Sequence, residues 1–215
     1  MDGYRITRHL SGLASLSERL ARADAVGRTI LLDRAATRLA AWVNGCVVAS
    51  GHVDPPRPLH VLRARLALLA ERFDLPDLRD LADGLRDPAG GKPRDGRILH
   101  TALRYAHGNW HWQVDGAGAV HRFQPETSWG GPSSPELEIA SFAMEHVLDA
   151  GDMTRVARHC GVCPEFVTDD LAAALLVAVE AVCRGVRRTD AAGRERLLAD
   201  ITARREWITM VTTAA

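Results

Sequence analysis

The sequence predicts a mainly α-helical fold: a bundle of about eight helices with one small antiparallel β-hairpin near residues 109–123. Two observations support this fold class. Apolar residues recur at intervals of three and four along most of the 215-residue chain, as they do on the buried side of a helix. Between residues 109 and 123 the pattern changes to an alternation of period two, and Asp115-Gly116 supplies the chemistry of a tight turn.

Composition narrows the class of protein. Hydrophobic residues make up 47% and charged residues 25%, which is ordinary for a folded globular domain. Basic and acidic residues number 27 each, so no global field attracts nucleic acid or an anionic membrane. The longest apolar run, 171–179, is shorter than the roughly 20 residues of a membrane helix. The first residues lack a secretory signal and the four cysteines are sparse, so we expect a cytoplasmic protein that does not associate with a membrane.

The N-terminal part is predicted to be a helical layer. Ser15 and Glu18 have the spacing of a capping box and begin a helix over about 12–24. A second helix follows and ends near Gly45, where a left-handed residue costs little. Prolines between 55 and 58 indicate an extended connector before a third helix, whose apolar stripe includes Leu62 and Phe73. A short fourth helix is predicted between Pro76 and Pro88.

The Pro-, Gly- and charge-rich segment 87–96 is the best candidate boundary. We therefore divide the chain into a helical N-terminal layer, 1–88, and a hairpin plus helical C-terminal part, 96–215, with a single compact domain as the alternative. A helix is predicted over 98–106. In the hairpin that follows, a two-residue loop at 116–117 pairs Trp112 with His121 and turns the tryptophan face towards the helices.

The C-terminal part is predicted to contain four helices. Ser134 and Pro135 form an N-cap and first-turn pair for a helix that ends at Gly151, after a loop over 125–133. Helices follow at about 152–160, 164–184 and 190–210. The helix over 164–184 is apolar on most sides and is expected to be the central buried one.

Residues 154–171 are compatible with a helix-turn-helix. Ala157 is the small contact residue and Gly161 is the turn. The second helix carries Glu165, Asp169 and Asp170, which phosphates repel, so binding to nucleic acid is the disfavoured use of this motif. A simple packing corner and a corner used in protein contacts remain as alternatives.

The same segment contains a CxxC next to a histidine. His159, Cys160 and Cys163 could bind a metal ion or carry a redox-active thiol pair. The fourth ligand of a zinc site is not selected by any spacing, and Cys160 falls at an apolar position, where cysteine acts as a small buried hydrophobe. Ordinary reduced cysteines are the simpler interpretation, and no cofactor is specified by the sequence.

Histidine, arginine and aromatic residues concentrate around the hairpin. Such side chains are favoured at protein interfaces, and the same groups could hold an anion or transfer protons. The candidate partner or ligand surface comprises Arg104, His107, Trp110, His111, Trp112 and Arg122.

We therefore expect an adaptor-like binding or regulatory protein with a protein partner and no evident catalytic site. Two alternatives stay open. One is a thiol- or metal-dependent enzyme or sensor centred on His159, Cys160 and Cys163, and the other is a helix-turn-helix DNA-binding regulator that uses Arg155 and Arg158.

Overall fold

The computed structural model describes residues 12–45, 47–53, 59–74, 79, 94–103, 112–122, 129–185 and 191–213. Within these residues the chain forms seven helices and six strands, so the predicted mainly α fold is confirmed. The helices are α1 (Leu16–Arg22), α2 (Ala25–Gly45), α3 (Leu59–Phe73), α4 (Pro135–Glu145), α5 (Ala150–His159), α6 (Pro164–Gly185) and α7 (Ala191–Thr213). The strands are β1 (Ala14–Ser15), β2 (Val47–Val53), β3 (Arg94–Leu103), β4 (Trp112–Val114), β5 (Val120–Arg122) and β6 (Trp129–Ser133). None of the described helices combines the length and apolarity that crossing a bilayer requires.

The first three predicted helices of the N-terminal part are present, with one change at the start. β1 precedes α1, so the helix begins later than expected, and Ser15 occupies the N-cap without a capping hydrogen bond from its side chain. The second helix ends at Gly45, as predicted. The short helix predicted between Pro76 and Pro88 falls almost wholly outside the described residues.

A second sheet, of order β2-β3-β6, was missed by the sequence argument. The helix predicted over 98–106 is wrong, because β3 occupies 94–103 and pairs with β2 on one side and β6 on the other. A central strand with neighbours on both sides can carry a run of apolar residues that a helical pattern also fits. The predicted loop over 125–133 is wrong from Trp129 onward, where β6 lies at the edge of the sheet and tolerates Pro132. The division of the chain at 88–96 stays a prediction.

The hairpin is present, but its register differs by one residue from the predicted one. Trp112 is paired with Arg122 and Val114 with Val120. The turn has three residues, because Asp115 N donates to Ala119 O at 3.0 Å. Val120 and Arg122 therefore share the face of Trp112. β1 extends the hairpin into the three-stranded sheet β1-β4-β5.

The core lies between this small sheet and the helices. Leu16 of α1, Leu39 of α2 and Leu171 of α6 are almost inaccessible to solvent. α4 is buried along nearly its whole length, beginning at the Ser134 cap, whose Oγ accepts from Leu137 N at 3.1 Å. The helix ends six residues before the predicted Gly151. This early end places the last turn of α4 beneath the hairpin.

Candidate functional site

The candidate site lies where the hairpin packs on the last turn of α4. We call it the junction cluster, and it consists of Trp42, Trp112, Arg122, Glu145 and His146. These residues come from α2, the hairpin and the end of α4. The cluster joins an interior carboxyl group to a half-buried arginine of the hairpin.

Trp112 is the residue that fixes the hairpin on the helices. Its ring is 3% exposed and meets the Phe142 ring edge to face, with 5.0 Å between centroids and 75° between planes. The His146 ring lies 6.4 Å away in a similar orientation. Burial of this large ring removes apolar surface from water and stabilises the attachment of the hairpin to the helices. Trp112 therefore lies beneath the predicted partner surface and is not exposed on it.

Arg122 of β5 is stacked on an aromatic ring of α2. Its guanidinium carbon lies 3.6 Å from the centroid of the Trp42 ring and 5.8 Å from that of Trp112. Both distances allow a cation–π attraction. The flexible arginine side chain is therefore held in one orientation at the place where the hairpin meets α2.

His146 caps the C-terminus of α4 and is 5% exposed. Its Nδ1 and the Oγ of Ser17 share a hydrogen bond of 2.7 Å, in which the imidazole tautomer decides the donor. The Phe142 ring lies 4.5 Å away on the same helix. These contacts fix the imidazole and join α1 to the end of α4.

Glu145 carries a carboxyl group whose pKa is strongly perturbed by burial. Among the described residues its Oε1 has no hydrogen-bond partner, and this oxygen is closed off from solvent. Burial raises the pKa of Glu145 to about 7, while the positive charges of Arg204 and Arg122 oppose this rise. A carboxyl group with such a pKa changes its charge near neutral pH.

Arg204 of α7, which opposes the rise of the Glu145 pKa more strongly than Arg122 does, is already held in place. Its Nε donates to Asp200 Oδ2 at 2.9 Å, one helical turn away, and its Nη1 donates to the carbonyl of Met144 at 3.3 Å. Much of its charge is therefore compensated by its own helix. Arg122 is the second positive charge that acts on Glu145, and it approaches from the hairpin.

The turn of the hairpin is strongly braced. Asp115 Oδ1 accepts from the backbone N–H groups of Ala117 and Ala119, both at 2.9 Å, and Oδ2 accepts from His121 Nε2 at 2.8 Å. The hydrogen bond from His121 is the largest cause of the lowered pKa of Asp115. The Arg34 guanidinium of α2 donates to the carbonyl of Gly118, so the turn is also attached to a helix.

Sequence reasoning found part of this cluster and missed the rest. Arg122 was predicted as a surface residue and is half-buried. Arg104, His107, Trp110 and His111 lie outside the described residues and stay a prediction. Glu145 was not selected from the sequence, and its carboxyl group is enclosed because α4 is covered on almost all sides. The available signal was the apolar character of the helix on both sides of the glutamate.

The residues of the thiol and metal interpretation have separate partners. Cys160 is buried and its Sγ approaches the carbonyl of Ala36 at 3.8 Å, while exposed Cys163 donates to Glu165 Oε2 at 2.6 Å. The Nε2 of His159 hydrogen-bonds to Thr37 Oγ1 at 3.0 Å. The described segments contain no group of three or more His, Cys, Asp or Glu side chains suited to a metal ion. The metal interpretation gains no support from these contacts.

The corner between α5 and α6 has the features of a helix-turn-helix, with Ala157 fully buried and Gly161 at a φ of +68°. Its first helix packs against α2, and Arg155 pairs with Asp33 at 3.2 Å. The predicted position of Asp170 on the DNA-facing side of the second helix is wrong, because Asp170 is buried and accepts a hydrogen bond from Ser134 Oγ at 3.4 Å. These contacts describe a packing corner and give no support to DNA binding.

Comparisons with protein-family models, curated proteins and solved structures find no match to this chain. What the protein does has to be inferred from its own side chains and their contacts. The junction cluster combines preorganised aromatic and arginine side chains with a titratable interior group.

Proposed function

We propose that this chain is a non-catalytic, adaptor-like binding protein of the cytoplasm, and that it holds a protein partner at the surface where the hairpin meets α2. The observation that carries this proposal is the stack of the Arg122 guanidinium over the Trp42 ring at 3.6 Å. Tryptophan and arginine are the residue types most often found at the energetic centres of protein interfaces.

The bracing of the hairpin supports a role in binding. Ordering a long side chain or a mobile loop costs free energy when a complex forms. Here Trp112 fixes one end of the hairpin in the core, Asp115 fixes the turn, and Arg34 ties the turn to α2. Arg122 is presented on this fixed support, so little further ordering is needed when a partner binds.

The thiols support the proposed compartment. Cys160 and Cys163 are both reduced thiols, and Cys163 is exposed. An exposed free thiol next to a second cysteine persists in a reducing compartment and is prone to oxidation outside the cell. This observation favours the cytoplasm. No described contact favours DNA binding or metal-dependent catalysis, so we propose no second function.

The test compares three immobilised forms of the protein: wild type, Arg122→Gln, and Arg205→Gln as a matched loss of charge at an exposed position of α7. Proteins retained from an extract are quantified by mass spectrometry, and circular dichroism verifies that each form is folded. We expect at least one stoichiometric partner that is retained by wild type and by Arg205→Gln and is lost with Arg122→Gln. The purified partner should bind Arg122→Gln at least about tenfold more weakly. Identical sets of retained proteins for all three forms would refute the proposal.

A further inference from the structure

We propose that the partner docks an amphipathic, acidic helix along the exposed side of α2, with its apolar residues on Val26 and Ile30 and its carboxylates on Arg34 and Arg38. The partner is that of the proposed function, on which this inference rests, and its docking segment is given a chemical class. The four residues follow one another at intervals of four, and Trp42 of the junction cluster is the next residue of the same row. We call this row of five residues the α2 ridge.

The α2 ridge leads to the surface already proposed for binding. Residues four apart on a helix form a row that is inclined to the helix axis, with about 6 Å along the axis between neighbours. The row therefore runs obliquely from the first turn of α2 to the place where the Arg122 guanidinium stacks on the Trp42 ring. The side chains of a facing helix can pack on both sides of such a row. The ridge offers a partner helix a contact about four turns long.

The N-terminal end of the α2 ridge is apolar and open to solvent. Val26 is 69% exposed and Ile30 is 45% exposed, while the opposite side of α2 is buried in the core. Single exposed aliphatic side chains are common on protein surfaces, but two on successive turns lie next to each other and can be covered together. Covering them removes apolar surface from water, which favours the complex.

The next two turns of the α2 ridge are positively charged. Arg34 and Arg38 are both exposed. The Arg34 guanidinium donates to the carbonyl of Gly118, which holds it beside the hairpin, and a guanidinium has further N–H groups for a second acceptor. In the part of the chain that the structure describes, no hydrogen bond or ion pair engages the side chain of Arg38.

The carboxylates around the α2 ridge are committed to other contacts. Asp33, the acidic residue of α2, pairs with Arg155 of α5 at 3.2 Å. Asp24, which precedes α2, accepts from Gly27 N at 2.7 Å. Asp115 accepts from the backbone of the hairpin turn. Charge complementarity at the two arginines of the ridge therefore favours a partner that brings its own carboxylates.

The order of apolar and charged residues disfavours two other occupants. In a symmetric dimer, antiparallel ridges would place the arginines of one copy against Val26 and Ile30 of the other, where no carboxylate meets them. A nucleic acid would bring phosphates to the apolar end as well as to the charged end. A helix with apolar residues on two turns and carboxylates on the next two matches both ends.

The probe is a fluorescein-labelled, alanine-rich peptide of about 18 residues with leucine on two successive turns and glutamate on the next two. We call it the block peptide. An alternating peptide of the same composition, in which leucine and glutamate take turns along the same row, is the control for pattern. In a third peptide, lysine replaces the glutamate farthest from the leucines, which faces Arg38 whichever way the peptide runs. Fluorescence polarisation gives the affinities.

We expect the wild type to bind the block peptide at least about fivefold more tightly than the alternating peptide, with an affinity that falls as salt is raised. Arg38→Glu should bind the block peptide at least about fivefold more weakly and should bind the lysine peptide more tightly than the block peptide. This reversal would also show that the variant is folded. Arg205→Glu, a matched charge reversal at an exposed position of α7, should behave as wild type.

Equal affinities for the block and alternating peptides, or a block-peptide affinity unchanged by Arg38→Glu, would overturn the inference. So would a dimer, seen by light scattering, that Ile30→Asp abolishes, because the ridge would then bind a second copy. Duplex DNA that binds the wild type and is lost with Arg38→Glu would overturn it in favour of nucleic acid. The proposed function stands in the first two cases if a protein is still retained through Arg122, so the two failures can be told apart.

Discussion

Glu145→Gln should stabilise the protein in alkali and leave its stability nearly unchanged in acid. Glutamine has the shape of protonated glutamic acid but cannot ionise. In the folded chain burial raises the pKa of Glu145 from 4.5 to about 7, so the folded state holds this proton over a range of pH in which the unfolded state has released it. The stabilising effect of the proton is complete below about pH 4.5 and is lost as the pH rises through about 7.

The size of the effect follows from the separation of the two pKa values. At about 1.4 kcal/mol per pH unit, the separation between 4.5 and about 7 corresponds to about 3 kcal/mol of unfolding free energy. The residue as a whole keeps some contact with solvent, which screens its charge. We therefore expect the unfolding free energy of Glu145→Gln to exceed that of the wild type by about 2 kcal/mol at about pH 8 and by less than about 0.5 kcal/mol at about pH 4.

Urea unfolding followed by tryptophan fluorescence measures this difference at several pH values. His146 and other titrating groups are common to both proteins, so their contributions cancel in the comparison. Glu206→Gln is the control, because it removes a carboxylate from an exposed position. A gap between Glu145→Gln and wild type that stays constant with pH would show that the Glu145 carboxyl group is solvated.

Three further substitutions test local features. Val147→Gly should stabilise the protein by about 1 kcal/mol, because a β-branched residue at φ +50° is strained by about 1–2 kcal/mol. Glycine relieves this strain but loses part of the gain, because it gives the unfolded chain more conformational entropy. Thermal unfolding measures the difference, and a lower Tm for the variant would show that the strain is absent. Ser134→Ala should destabilise by about 1–2 kcal/mol, because it removes the cap of α4 and a hydrogen bond to Asp170. Ser141→Ala should be neutral or stabilising by up to about 0.5 kcal/mol, since in the described part of the chain its buried Oγ has no partner. A urea midpoint of Ser134→Ala equal to that of wild type would contradict the first serine prediction, and a lowered midpoint of Ser141→Ala would contradict the second.

Helix ends that are set by residues adjacent in the sequence can be predicted from the sequence. Ser134 and Pro135 indicate the start of α4 because the capping hydroxyl and the ring act within one turn. α2 ends at Gly45 as predicted, but Gly45 does not have the left-handed φ on which that prediction was based. β3 and β6 could not be found in this way. Strand pairing depends on residues far apart in sequence, and the apolar residues of a central strand fit a helical interval equally well.

In the candidate site, too, residue types could be predicted from the sequence, whereas burial could not. Trp112 and Arg122 were selected because aromatic and arginine residues at a turn are informative by type, whereas their depth depends on the hairpin register, which a three-residue turn shifts by one position. Glu145 could not be selected, because a glutamate followed by a histidine reads as solvated helix surface. Only the packing of the hairpin and α7 around the end of α4 encloses its carboxyl group.

The end of α4 explains why the junction cluster exists at all. A helix continued to Gly151 would satisfy local preference, and the chain instead places Val147, 62% exposed, in the left-handed region. The turn this creates is closed by Leu148 N donating to Ala143 O at 3.0 Å, and it buries Leu148 completely. It also directs the Leu148 carbonyl to Trp207 Nε1 at 2.9 Å, which ties the turn to α7. Full burial of a leucine and one buried hydrogen bond together exceed the backbone strain of about 1–2 kcal/mol, so tertiary contacts prevail over local preference. The same turn holds Glu145 and His146 in the final turn of the helix, beneath Trp112 and within electrostatic reach of Arg122.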